Sequence, residues 1–132
     1  MYKYMIKTKS VYDPVEKSDG ERILVTRYWP RGVSRQKKEI IEYMRDLAPS
    51  EELLRAWNAK EISWEEYERR YKEEMAGQAE GIEKLAEKAS RGTITLMCVE
   101  KEQDPHCHRH LLKGMIEAKL ACVKNQVSRG HE

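Results

Sequence analysis

Thr93-Ile94-Thr95-Leu96-Met97-Cys98-Val99 is apolar or β-branched at every position. A run this short and this continuous reads as a buried strand, and an unbroken apolar strand belongs in the middle of a sheet. The chain reaches it only through a long stretch of helical periodicity. Parallel neighbours need such a crossover, whereas antiparallel ones are joined by tight turns. The expected fold is therefore α/β: a small, mostly parallel sheet of three or more strands, flanked by helices, in one domain over residues 1–132.

Working outward from this strand, two earlier segments read the same way. Tyr4–Tyr12 carries Met5, Ile6 and Val11 as its apolar members and gives way to a loop at Asp13-Pro14 and Ser18-Asp19-Gly20. Arg22–Tyr28 is apolar and β-branched at its centre and runs into Trp29-Pro30-Arg31-Gly32, where proline ends a ladder and glycine permits a turn. The relative direction of these two strands stays open, because a loop alone joins them.

Helical signals fill the middle. Ser34 is placed to cap a helix with Ile40, Ile41, Met44 and Leu47 on one face, ending before Pro49. Ser50 caps a short one through Leu53, Leu54 and Trp57. Ser63-Trp-Glu-Glu66 fits the reciprocal capping pattern S-x-x-E. The face behind it, Trp64, Tyr67, Tyr71 and Met75, reads as a core stripe. Gly77 and Gly81 each cost about 1 kcal/mol inside a helix, which predicts an interruption there. Helix resumes through Ile82, Leu85, Ala86 and Ala89, with Gly92 past its end, and a last helix carries Leu111, Leu112, Met115, Ile116 and Leu120.

The totals narrow the class. Of 132 residues, 39% are hydrophobic and 36% charged, and the apolar ones recur periodically, so the chain is expected to fold rather than stay disordered. No stretch has the apolar length of a signal core or a membrane span, which points to the cytoplasm. Three cysteines there are expected to be free thiols. The net charge of +2 gives no global drive toward nucleic acid, yet residues 1–38 hold ten Lys/Arg against four Asp/Glu. That local excess favours an anionic partner or is simply an uneven solvated surface.

Chemistry concentrates in Cys98-Val-Glu-Lys-Glu-Gln-Asp-Pro-His-Cys-His-Arg-His110, with two thiols, three imidazoles and a guanidinium. A zinc site ranks low, because no Cys-x-x-Cys pair is present and His108 points away from the face shared by Cys107 and His110 on a helix. No metal and no cofactor is expected. Asp104-Pro105 reads as a helix start, aspartate at the N-cap and proline in the first position. Cys98 and Cys122 suit a core, while Cys107 has polar or cationic neighbours and falls in the first turn. Free N–H groups at a helix N-terminus attract anions and lower a thiol's pKa. Lys113 stands where a phosphatase loop would need arginine, so that class is unsupported.

Three stretches carry a resemblance. They are Asp19–Gly32 with its Arg-Tyr-Trp-Pro-Arg-Gly turn, Leu47–Leu53 with the aromatic helix behind it, and Thr93–Leu112 with Cys-His-Arg. Together they resemble the domain of unknown function 488 family, in its short, YeaO-like branch. The resemblance implies a small α/β protein and no particular activity. Thr26 stands where many relatives carry aspartate, and the full Cys107-His108-Arg109 stands where some keep only the histidine.

The leading expectation is a small enzyme acting on an anionic, phosphate-bearing ligand. Cys107 is then a nucleophile or polar donor, His108 the acid/base, and Arg109, Arg27 and Arg31 the anion clamp. Tyr28 or Trp29 stacks on a base or sugar, and Glu100 is a catalytic carboxylate or an arginine anchor. Two alternatives stand beside it: a non-enzymatic nucleotide or nucleic-acid binding module, and a thiol redox or metal sensor built on Cys98 and Cys107. Substrate, reaction and oligomeric state do not follow from the sequence.

Overall fold

In the computed structural model, four parallel strands form one sheet, and their order explains why the 93–99 run is so apolar. The strands are β1 (Ile6–Ser10), β2 (Glu21–Leu24), β3 (Ile40–Tyr43) and β4 (Ile94–Cys98), arranged β1-β4-β2-β3 with every pairing parallel. The last strand in the chain thus lies inside the sheet, and all five of its residues are buried. β1 and β2 run in the same direction because both pair with β4. The structure describes residues 5–101 and 103–130, and of 122–130 only the backbone. Tyr4, read as a strand start, and the Cys122 side chain, read as core, lie outside the described residues.

Among the described residues the α-helices are α1 (Glu51–Asn58), α2 (Trp64–Met75) and α3 (Ala79–Arg91), which lie between β3 and β4, and α4 (His108–Gly130), which follows β4. The first two begin where their serines predict. Ser50 Oγ accepts from the Leu53 amide at 3.2 Å and Ser63 Oγ from the Glu66 amide at 3.1 Å, each satisfying a donor the helix cannot use internally. The glycine interruption falls at Gly77, within a 3-10 turn over Ala76–Gln78. Gly81 stays helical, and its bare Cα admits Leu47, whose Cδ2 would stand 3.1 Å from an added Cβ.

The two faces of the sheet differ. Ile23, Val25, Ile94 and Leu96 join Leu53, Tyr67, Tyr71, Leu85, Leu112 and Ile116 from the helices in one buried cluster. Alternate residues point the other way, so Leu24 and Met97 meet Val11 and Ile40 in a second, smaller cluster. On that second side Arg22 and Lys9 surround the buried Asp19. Tyr71 ties the helical layer to the chain before α1, its hydroxyl donating to the Leu47 carbonyl at 2.7 Å. Tyr71→Phe is expected to cost about 1–2 kcal/mol, the usual worth of a buried bond whose acceptor loses its partner. Urea denaturation with an unchanged slope checks this.

Three expectations need correction. The helix predicted from Ser34 does not form. Ser34 does accept from the Lys37 amide at 3.2 Å, but Glu39 takes a φ of 50° and ends the turn. Ile40 is buried while Ile41 is exposed, an alternation that suits β3 and breaks a helical face. Met44 and Leu47 fall beyond that strand, Leu47 in a 3-10 turn. The strand predicted over Arg22–Tyr28 stops at Leu24, and after one further ladder bond from the Val25 amide to Met97 O the chain turns away.

The last helix starts at His108, later than Asp104-Pro105 implies. Asp104 Oδ1 accepts from the His106 amide at 2.9 Å, closing a separate small turn, so its capping capacity is spent before α4 begins.

Candidate functional site

Because the strands are parallel, the carboxyl ends of β2 and β4 lie side by side, and the turns that follow them face one another. Between them is a cavity of about 190 Å³. One wall is the turn after β2, with Thr26, Arg27, Tyr28, Trp29 and Pro30; the floor is Cys98, Glu100, Cys107 and His108 from β4 and the approach to α4. Trp57 of α1 and Tyr67 of α2 complete the enclosure together with His106. Sequence reasoning reads Tyr67 as part of a core stripe and Trp57 only as a member of a short helix. No local signal marks them otherwise.

The floor is a compact polar cluster. Cys98 Sγ donates to Glu100 Oε2 at 2.7 Å, and Cys107 Sγ stands 3.6 Å from the same oxygen. His108 Nδ1 lies 3.9 Å from Cys107 Sγ, while Nε2 lies 2.5 Å from the Val25 carbonyl. A carbonyl only accepts, so Nε2 carries hydrogen and Nδ1 is the nitrogen turned toward the thiols. Tyr71 holds the same imidazole edge-on at 5.7 Å. Cys107 and His108 are 3% and 5% exposed, so the expectation that Cys107, unlike Cys98, is not a core residue is corrected. Their polar sequence neighbours misled, because His108 and Arg109 are themselves buried.

The two thiols are pushed in opposite directions. Cys107 is drawn well below the ordinary thiol range, first by the neighbouring Cys98 thiol and then, against burial, by His108 and the Arg109 amide. Cys98 is pushed well above that range by the neighbouring Cys107, by burial and by Glu100. Burial raises the Tyr67 phenol, and the nearby Cys107, Cys98 and Glu100 raise it further. The floor therefore carries negative character.

Two of the three arginines are committed elsewhere. Arg109, fully buried, donates to the carbonyls of Lys9 at 3.1 Å, Glu100 at 2.8 Å and Lys101 at 2.6 Å, binding β1 to the segment after β4. Arg27 lines the cavity, but its guanidinium donates to Pro49 O at 2.9 Å and Ala48 O at 3.1 Å. Arg31 is exposed and is not among the cavity-lining residues. The turn itself is well fastened. Tyr28 OH donates to the Glu51 carboxylate, Trp29 Nε1 to Val33 O at 2.9 Å, and Tyr43 OH to Arg27 O at 3.1 Å. His106 lies 4.7 Å from Trp64 and 5.9 Å from Trp57, centre to centre, an aromatic patch beside the cavity.

Comparison with known proteins places these features in context. The family described as "Inactive DUF488-N3 subclade" matches residues 5–130. The chain is 36% identical over 92 residues to "Uncharacterized protein YeaO" of Escherichia coli K12, covering 70% of this chain and 80% of that one. It is 29% identical over 90 residues to "Uncharacterized protein Rv3073c" of Mycobacterium tuberculosis H37Rv, covering 68% and 75% respectively. "Uncharacterized protein Mb3100c" of Mycobacterium bovis matches to the same extent. No solved structure gives a significant match. Among the described residues, no helix is long and apolar enough to cross a membrane.

Proposed function

This chain belongs to the domain of unknown function 488 family, and from that premise we propose that it is a binding protein for a flat, nucleobase-like small molecule. The observation that carries the reading is the cavity itself. Trp57, Tyr67, Tyr28 and Trp29 offer ring faces and edges around a floor of thiol, carboxylate and imidazole groups. Aromatic walls recognise a planar ring by stacking, and a polar floor reads the hydrogen-bonding edge of that ring. A reducing cytoplasm would keep both floor thiols free.

The enzyme of an anionic ligand, first among the expectations from sequence, has less behind it. Two of its three arginines serve backbone carbonyls, and the Glu100 carboxylate on the floor repels negative charge. The description of the matched subclade as inactive points the same way. On this reading Arg27 and Arg109 are positioning residues.

Tryptophan fluorescence titrated with the four common nucleosides and their monophosphates tests the proposal. At least one nucleoside is expected to quench emission saturably, with its monophosphate binding no tighter. Trp57→Leu is expected to weaken that binding by about 1–3 kcal/mol, roughly 5- to 150-fold, the worth of one stacked ring. A flat response to all eight compounds at millimolar concentration overturns the proposal. Binding of monophosphates alone, lost on adding salt, would restore the anion-ligand reading in its place.

A further inference from the structure

The groups of the cavity floor, Cys98, Glu100, Cys107 and His108, have a second property. We propose that Cys98, Cys107, His108 and Glu100 form a zinc site.

The donor set comes first. Two sulfurs, one imidazole nitrogen and one carboxylate oxygen are all common zinc ligands, and Zn²⁺ takes four of them tetrahedrally. With ordinary bond lengths, neighbouring donors around such an ion stand about 3.5–3.8 Å apart. The sulfurs of Cys98 and Cys107 and a ring nitrogen of His108 lie within 4.8 Å of one another. Cys107 Sγ is 3.9 Å from His108 Nδ1 and 3.6 Å from Glu100 Oε2, two edges already near tetrahedral size. The contact between Cys98 Sγ and Glu100, at 2.7 Å, is a hydrogen bond. Zinc takes the place of that bridging thiol proton, which leaves to solvent, and the edge opens by under an ångström.

The imidazole supplies an independent observation. A histidine that ligates a metal through one nitrogen nearly always donates its other N–H to a carbonyl or carboxylate, which fixes the ring and its tautomer. His108 does this with Val25 O, leaving Nδ1 as the free donor on the side of the sulfurs. Val25 is held in turn by its amide bond to Met97 O at 3.0 Å. The carboxylate has its own anchor, since Arg109 grips the Glu100 carbonyl. Three ligands are buried, and all four line the cavity, so a bound ion would face it.

The sequence hides this site because its ligands come from a strand end, a loop and a helix start. Their spacing, Cys98-x-Glu100-x6-Cys107-His108, matches no ribbon or finger. Harder cations are poorly served by two sulfurs, and a single carboxylate is too few oxygens for calcium or magnesium.

Cobalt substitution tests the site on the intact protein, in a Cys122→Ser background that removes the third thiol. One equivalent of Co²⁺ is expected to give thiolate-to-metal charge-transfer bands and the intense visible bands of a tetrahedral ion. Zn²⁺ is expected to bleach both at one-to-one stoichiometry. Cys98→Ser and Cys107→Ser are each expected to weaken zinc binding by more than the ~10–100-fold that loss of a supporting partner costs, as read by competition with a chromophoric chelator. Glu100→Gln should keep the charge-transfer bands and weaken binding less, which covers the case in which a cysteine variant fails to fold. Absence of charge-transfer bands in the reduced protein overturns the proposal. So does zinc affinity equal to that of the Cys98→Ser/Cys107→Ser double variant. Nucleoside binding has no bearing on any of these readouts.

Discussion

Asp19→Ala is expected to destabilise the protein by about 3–5 kcal/mol, the cost of leaving buried cations without their counter-ion. Asp19 is fully buried. Its carboxylate accepts from Lys7 Nζ at 2.7 Å, Lys9 Nζ at 3.0 Å, the Arg22 guanidinium and the Glu16 amide at 3.1 Å. Arg22 is only 2% exposed and Lys9 only 7%, so neither has water to turn to once the carboxylate is gone. Urea denaturation should show a lower midpoint with the same slope, and Asp19→Asn, which keeps an acceptor, should fall between the two.

The same carboxylate sets a pH signature. Burial pushes its pKa up, but hydrogen bonds from Lys7, Lys9 and the Glu16 amide outweigh that, and the group ends well below the ordinary carboxylate range. A depressed folded pKa contributes stability that is complete above the unfolded value, near 3.9, and is lost as pH falls toward the folded one. The stability gap between wild type and Asp19→Ala should therefore stay constant from about pH 5 to 8 and narrow only below pH 4. A gap that narrows near neutrality would assign the stabilisation to another group.

Gly20→Ala, one residue on, is expected to be at least as damaging, at more than about 4 kcal/mol. Gly20 has a φ of 62°, and an added Cβ would stand 2.0 Å from Thr93 O and 2.7 Å from Thr93 C. That carbonyl cannot step aside, because it accepts the Glu21 amide at 3.1 Å where β2 joins β4. Gly32 supplies the control: its φ is 73°, but nothing lies within 4 Å of its added Cβ. Gly32→Ala should thus cost only the conformational part, about 1–2 kcal/mol. Thermal unfolding of the pair separates backbone strain from the clash, and equal losses would refute the steric argument.

Much of the architecture was legible because local signals and tertiary context agree. The continuous run at 94–98 had to be interior, and the serines at 50 and 63 had to cap. β3 was hidden because Ile40, Met44 and Leu47 happen to fall at helical spacing, and only the backbone at Glu39 decides against a helix. The site was legible as a neighbourhood: the turn at 27–30 and the stretch at 98–108 do enclose one cavity. Its chemistry was not. A sequence displays arginines as charges in search of a ligand, whereas Arg109 and Arg27 spend theirs on backbone carbonyls. The basic excess of the first 38 residues is likewise partly internal, since Lys7, Lys9 and Arg22 converge on Asp19.

The strand order also constrains how the chain can be made. β1 pairs with β4 in the register Ile6↔Ile94, and β2 pairs with the other side of β4 in the register Glu21↔Ile94. Until residue 98 has left the ribosome, the strand that belongs between β1 and β2 does not exist. Through the synthesis of all of α1, α2 and α3, the β1 and β2 segments lack the partner they share. Pairing them with β4 joins residues far apart in sequence, which slows folding, and unpaired strand edges invite wrong partners. The charged outer faces of α2 and α3, with ion pairs such as Arg69–Glu73 and Arg91–Glu87, give that stretch of chain a solvated surface.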